Sequence, residues 1–158
     1  MRSSKHDGSI DTFHQSIREW LDARQQMMMA FSDLCLLKPF DQYDKADLSE
    51  AIESFCTELI DYLSFGQFRV FDHVTMVIHP NTHDGRMIKI LLGKIFSSTV
   101  MSIEFHDLYM KNPFKNLEKD LAKLGEHLAQ RLDWEDQLLD MIYDHLLKDH
   151  DKKPTKFG

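Results

Sequence analysis

The chain has 158 residues, 42% of them hydrophobic, and a formal net charge of −7 at neutral pH. This length and apolar content suit a single helical domain over residues 1–158, with frayed ends expected at 1–9 and 150–158. The acidic balance argues against direct binding of nucleic acid, because nucleic-acid-binding proteins gain affinity from Lys and Arg that neutralise phosphates. Beyond a tail with Lys152, Lys153 and Lys156, no basic stripe is visible.

Apolar runs such as 27–31 are far shorter than the roughly 20 residues that cross a bilayer. The first residues contain no apolar core of the kind that a signal peptide needs. We therefore expect a cytoplasmic protein that does not bind membranes. Cys35 and Cys56 fall on apolar helical stripes and are expected to be reduced core residues.

Six glycines and four prolines are few for this length, and helix-favouring residues dominate. The prediction is an all-α fold, an antiparallel bundle of four long helices and one short helix. A first helix is predicted over 11–36, ended by Lys38 and Pro39, and a second over 47–65, ended by Gly66. The short third helix follows, and its predicted apolar stripe contains Phe68, Phe71, Val74 and Ile78.

A loop is predicted at 79–85, where Pro and Gly bracket polar turn formers. The fourth helix then has a broad apolar face and ends at Asn112 and Pro113. That face contains Met87, Ile88, Leu91, Leu92, Ile95, Phe96, Thr99, Val100 and Ile103. The last helix opens at 113–114 and carries a leucine-rich stripe that runs to Leu146.

Negative charge is concentrated between Asp41 and Asp72. This segment contains eight acidic residues and only two basic ones, Lys45 and Arg69. An acidic helix suits a basic protein partner, because complementary charge speeds encounter and fixes orientation. The alternative interpretation is a solvated face with no partner.

The sequence contains none of the common catalytic or metal-binding motifs. The chain contains no phosphate-binding glycine loop and no nucleophile elbow. Its nine histidines leave open a hemerythrin-like metal-binding bundle, but the Glu-x-x-His pairs of di-iron bundles are absent from the sequence. We therefore expect no enzyme activity, no cofactor and no metal.

Three separated segments resemble one known family. Residues 55–68 read F-C-T-E-L-I-D-Y-L-S-F-G-Q-F and resemble the F-C-x-x-L-[VI]-D-Y-[LV]-S-x-G-x-F pattern of the Rsd/AlgQ family of bacterial anti-sigma factors. Residues 19–26, with Trp20, Leu21 and Arg24, and residues 124–138, with Arg131, Glu135 and Asp136, are similar to two further patterns of that family.

This resemblance implies a regulator that sequesters the C-terminal domain, region 4, of the primary sigma factor of RNA polymerase. It marks as contact candidates Asp61, Tyr62, Leu63, Ser64 and Phe68, with Asp61 pairing a cation and Phe68 acting as an anchor. Tyr62 and Leu63 could instead be core residues, and Phe68 could belong to the stripe of the third helix. An adaptor for another cytoplasmic protein would use the same acidic surface, and the oligomeric state stays open.

Overall fold

The structure is a computed structural model that describes the backbone of residues 2–111 and 114–147 and the side chains of 10–111 and 114–145. It is 89% helical, and the described residues form no strand. The long helices are α1 (Arg2–Cys35), α2 (Lys45–Phe65), α4 (His83–Met110) and α5 (Leu117–Ile142), and α3 (Asp72–Val77) is short. A 3-10 turn (Phe40–Gln42) and two π segments (Gly66–Phe71 and Tyr143–Leu147) complete the order. The predicted all-α fold is confirmed.

Side-chain caps set the starts of α2 and α4. The carboxylate of Asp44 accepts a hydrogen bond from the amide of Asp47 at 2.8 Å. The hydroxyl of Thr82 accepts one from the amide of Gly85 at 3.0 Å. Both caps satisfy amides that have no partner within the first helical turn.

Helix boundaries differ from the predictions at several ends. The first helix begins at Arg2 rather than residue 11, and α4 begins at His83, inside the predicted 79–85 loop. Among the described residues α4 ends at Met110 and α5 begins at Leu117. The lysine tail and the predicted stop at Asn112 and Pro113 lie outside the described residues.

The predicted helix stop at Gly66 is wrong. Gly66 has right-handed helical dihedrals (φ −58°, ψ −47°), and the chain continues through the first π segment into α3. The glycine is needed for packing, because a Cβ there would lie 2.9 Å from Nε1 of Trp20 and 3.3 Å from Cε2 of Phe71. The ring of Trp20 meets that of Phe71 edge-on at 5.4 Å.

The buried side chains form one hydrophobic cluster to which all the long helices contribute. The helix α1 packs mainly on α2, α4 mainly on α5, and α2 also contacts α4. Edge-on ring contacts link Phe31 to Phe55 and Phe55 to Phe105. Cys56 is buried within this cluster and Cys35 half-buried, and both are free thiols as predicted. Burial raises the pKa of Cys56 to about 11.

The apolar face predicted for the fourth helix is only half right. Ile88, Leu91 and Ile95 are buried, but the buried side then runs through Ser98 and Ser102 rather than through the apolar residues beside them. Each serine hydroxyl donates to a carbonyl of the preceding turn, so it can be buried without losing its hydrogen bond. The predicted face residues left exposed are Met87, Phe96, Val100 and Ile103.

Gly66→Ala should lower the free energy of unfolding by about 1–3 kcal/mol, because the new methyl group overpacks the Trp20 contact. Gly93→Ala is the matched control, since a Cβ at that position in α4 meets nothing within 4 Å. It should stabilise the protein by about 0.5–1 kcal/mol through helix propensity. Urea titration measures both values, and equal stabilisation by both substitutions would contradict the packing role of Gly66.

Candidate functional site

Three of the five predicted contact residues lie on the outer side of α2 and of the π segment that continues it. Asp61, Ser64 and Phe68 are exposed and follow one another at steps of three and four residues, which places them on one side of a helix. Phe68 is 71% exposed, unusual for a side chain of this size. We call these three residues the outer stripe.

Tyr62 and Leu63 lie elsewhere, inside the hydrophobic cluster. Tyr62 has no exposed surface, and Leu63 has almost none. The structure therefore does not bring these two candidates to the surface beside the outer stripe.

The assignment of Phe68 to the apolar stripe of the third helix is wrong. The helix continues past Gly66, so its buried side passes through Gly66, Val70 and Val74, which are four residues apart. Phe68 lies between these buried positions and projects outward. A π segment inside a helix is uncommon and occurs frequently at functional sites.

Neighbouring side chains support the exposed end of the outer stripe. The guanidinium of Arg69 lies 5.5 Å from the centre of the Phe65 ring, within the range of a cation–π contact. The amide of Gln67 donates to the carboxylate of Asp72 at 2.9 Å. Both contacts span one turn and hold the π segment on either side of Phe68.

Behind the outer stripe, the hydroxyl of Tyr62 takes part in a buried polar network. It donates to Oε2 of Glu135 at 2.5 Å and accepts from Nε of Arg131 at 2.8 Å. Nε of Arg131 also donates to Oε2 of Glu135 at 2.9 Å. Burial raises the pKa of Tyr62 well above its ordinary value, and the Glu135 carboxylate raises it further, so the hydroxyl keeps its proton.

Arg131 extends this network to α4. Its Nη1 donates to the carbonyl of Ile95 at 3.1 Å, to Oγ of Ser98 at 2.9 Å and to Oγ1 of Thr99 at 2.6 Å. The network therefore crosses from α2 through α5 to α4.

Arg24 brings α1 into the same network. Its Nη1 lies 3.4 Å from Oε1 of Glu135 and 3.0 Å from Oδ1 of Asp136. Two buried guanidinium groups thus share one buried carboxylate, and all four long helices are joined by charge-assisted hydrogen bonds.

The network contains residues from each of the three family-like segments. Arg24 comes from the first segment, Tyr62 from the second, and Arg131, Glu135 and Asp136 from the third. Their charge and polarity did not identify them as core residues in the sequence. The available signal was the spacing of Arg131 and Glu135, four residues apart on an otherwise leucine-rich stripe.

The acidic residues between Asp41 and Asp72 are mostly exposed. Of the eight acidic residues between Asp41 and Asp72, only Glu58 is partly covered. Asp61 also borders a groove between α2 and α4 of about 260 Å³. The groove is lined by Glu53, Cys56, Thr57, Ile60, Asp61, His106 and Met110.

Two of the described histidines contact different polar side chains. Nε2 of His145 lies 3.0 Å from the carboxylate of Asp84, and Nε2 of His14 lies 2.8 Å from the hydroxyl of Tyr143. Within 2–111 and 114–147, no three His, Cys, Asp or Glu side chains come together as a metal site. The same part of the chain contains no helix both long and apolar enough to cross a membrane.

The fold and site define a helical bundle with an acidic outer surface on α2. The sequence model of the family described as "Regulator of RNA polymerase sigma(70) subunit, Rsd/AlgQ" matches residues 2–143. Because this match covers nearly the whole chain, the chain belongs to the Rsd/AlgQ family. The resemblance inferred from the three segments is confirmed, and transcription regulation is the function of the family.

Curated relatives carry the name "Regulator of sigma D". The protein from Pectobacterium carotovorum is 28% identical over 137 residues, which cover 82% of this chain and 88% of the relative. The protein from Enterobacter sp. is 26% identical, covering 84% of this chain and 82% of the relative. No solved structure matches the chain.

Tyr62→Phe should lower the free energy of unfolding by about 1–3 kcal/mol, because Glu135 loses a donor and Arg131 an acceptor inside the core. The raised pKa of Tyr62 adds stability that is fully present below pH 10 and is lost as the pH rises toward the folded-state pKa. The stability difference between wild type and variant should therefore shrink above pH 10. Urea titrations at neutral and alkaline pH measure it.

Tyr43→Phe is the control for the same chemical change at an exposed tyrosine. It should leave stability nearly unchanged. A Tyr62→Phe protein as stable as wild type at neutral pH would show that the network does not support the fold.

Proposed function

We propose that this protein binds region 4, the C-terminal domain, of the primary sigma factor and thereby reduces the use of that sigma factor by the RNA polymerase core. The outer stripe supports this proposal, because an exposed carboxylate and an exposed aromatic ring share one side of a helix. These residues occupy the positions that the family resemblance marks. The protein would act by occupying its partner, in the cytoplasm and without turnover.

Charge supports this choice of partner. A domain that binds promoter phosphates is basic, and the outer side of α2 presents acidic residues along its length. Complementary charge steers the encounter and sets the orientation of the two proteins. The same acidic surface repels DNA, so the protein would compete with the RNA polymerase core for the sigma factor without binding nucleic acid itself.

Phe68 gives the surface an apolar anchor. Burying an aromatic side chain at the centre of an interface is a common source of binding free energy. Its exposure in the free protein means that this burial remains available to a partner. Asp61, two helical turns before it, can pair with an Arg or Lys of the sigma factor.

Tyr62 and Leu63 take a positioning role in this proposal. Their burial fixes the rotation of α2 about its axis, so that Asp61 and Ser64, on either side of them in the sequence, point outward. The five residues of the family motif thus act as two groups. The outer group touches the partner, and the inner group fixes the orientation of the outer group.

Asp61→Ala should weaken binding to purified primary sigma factor by about tenfold or more while the melting temperature stays close to that of wild type. Truncation of Asp61 leaves a cation of the partner unpaired at the interface, which typically costs about 2–5 kcal/mol. In the free protein the side chain is exposed, and its loss should change stability by only about half a kcal/mol. Isothermal titration calorimetry and thermal unfolding measure the two effects.

Glu126→Ala is the matched control, because it removes the same charge from an exposed position on α5. It should bind normally. A sigma factor that lacks region 4 should not bind at all. Equal weakening by both substitutions, or unfolding of the Asp61 variant, would contradict an interface on the outer stripe.

A further inference from the structure

The helix α4 carries a second exposed apolar surface. Phe96, Val100 and Ile103 are 59%, 42% and 40% exposed, and their spacing of four and three residues places them on one side of the helix. Scattered exposed apolar residues are ordinary, whereas a continuous apolar patch marks an interaction site. None of these side chains belongs to the hydrophobic cluster.

Gly93 lies on the same side of α4, three residues before Phe96. Glycine is a poor helix former, so in mid-helix it usually serves a close approach. Of the four glycines whose surroundings the structure describes, only Gly93 has open space where a Cβ would stand. A Cβ at Gly66, Gly85 or Gly125 would meet another group of the chain at 2.9 Å or less. Packing within the chain therefore explains those three glycines and leaves Gly93 without a reason.

The apolar surface adjoins the acidic side of α2. His106, three residues after Ile103, lines the groove between α2 and α4 together with Asp61 and Glu53. The apolar surface therefore extends along α4 from Phe96 to Ile103 and reaches the groove that Asp61 borders. Apolar and acidic surfaces here form neighbouring strips.

We propose that Gly93, Phe96, Val100 and Ile103 extend the sigma-binding surface onto α4, where they receive a basic amphipathic helix of the sigma factor. This inference rests on the proposed function. The apolar side of the incoming helix would cover Phe96 and its neighbours, and its basic edge would face Asp61. Gly93 would let the backbones of the two helices approach closely.

A basic helix fits this surface better than a second copy of the chain. Pairing two copies through it would bring two acidic α2 segments together, and like charges in contact oppose association. An apolar helix face in an apolar groove with a charged rim is a recurring mode of recognition. The acidic rim makes a basic partner the complementary one.

Two substitutions test the proposal against purified primary sigma factor. Phe96→Ala should weaken binding about tenfold or more without lowering the melting temperature, because the ring is not part of the core. Gly93→Ala should raise the melting temperature by about 2 °C through helix propensity and yet weaken binding. If Gly93 served only the fold, Gly93→Ala would not raise the stability and lower the affinity together.

Leu108→Ala is the control, because Leu108 is 46% exposed on the same helix but lines a groove that α4 forms with α5. It should bind like wild type. Normal binding by the Phe96 and Gly93 variants, with binding lost in Asp61→Ala, would overturn this extension and leave the proposed function standing. Failure of wild type to bind sigma factor would overturn both. Self-association of wild type in sedimentation, abolished by Phe96→Ala, would assign the surface to a second copy and overturn the proposal.

Discussion

The arrangement of the four long helices depends on the buried contact between Arg131 and Glu135. An isolated buried charge is very costly, so each of these groups requires its partner. Glu135 is shared with Arg24 of α1 and Tyr62 of α2, while Arg131 reaches the carbonyl of Ile95 in α4. A rotation of one helix would leave a charge unpaired in the core, so the network selects one packing of the bundle among the many that an apolar core permits.

This constraint connects the core to the surface through α2. Tyr62 points inward to reach Glu135 and Leu63 is buried beside it, so helical geometry leaves Asp61 and Ser64 on the outer side. The unbroken helix past Gly66 continues the same register and brings Phe68 to the outside. A substitution at Tyr62 should therefore change the orientation of α2, whereas a substitution at the exposed Phe68 should leave that orientation unchanged.

Composition predicted the all-α fold, and apolar periodicity predicted the location of each helix, because a long stripe at helical spacing has few other solutions. It failed at Gly66, where the break expected of a glycine was overridden by the close packing of Trp20. It also failed on α4, since hydrophobicity alone does not reveal that Ser98 can be buried with its hydroxyl bonded to the main chain. For the site, the motif located α2, but only the structure separated the inner residues from Phe68 and the rest of the outer stripe.

A photo-cross-linking amino acid in place of Phe68 tests whether the outer stripe faces region 4 of the sigma factor, as we propose. The position is exposed, so the substitution should leave the core intact. The same probe in place of Leu36, which is 80% exposed just beyond the end of α1, measures non-specific capture. Irradiation with intact primary sigma factor should join position 68, and not position 36, to peptides of region 4. Cross-links from position 68 to other sigma domains, or equal yields at both positions, would contradict an interface on the outer stripe.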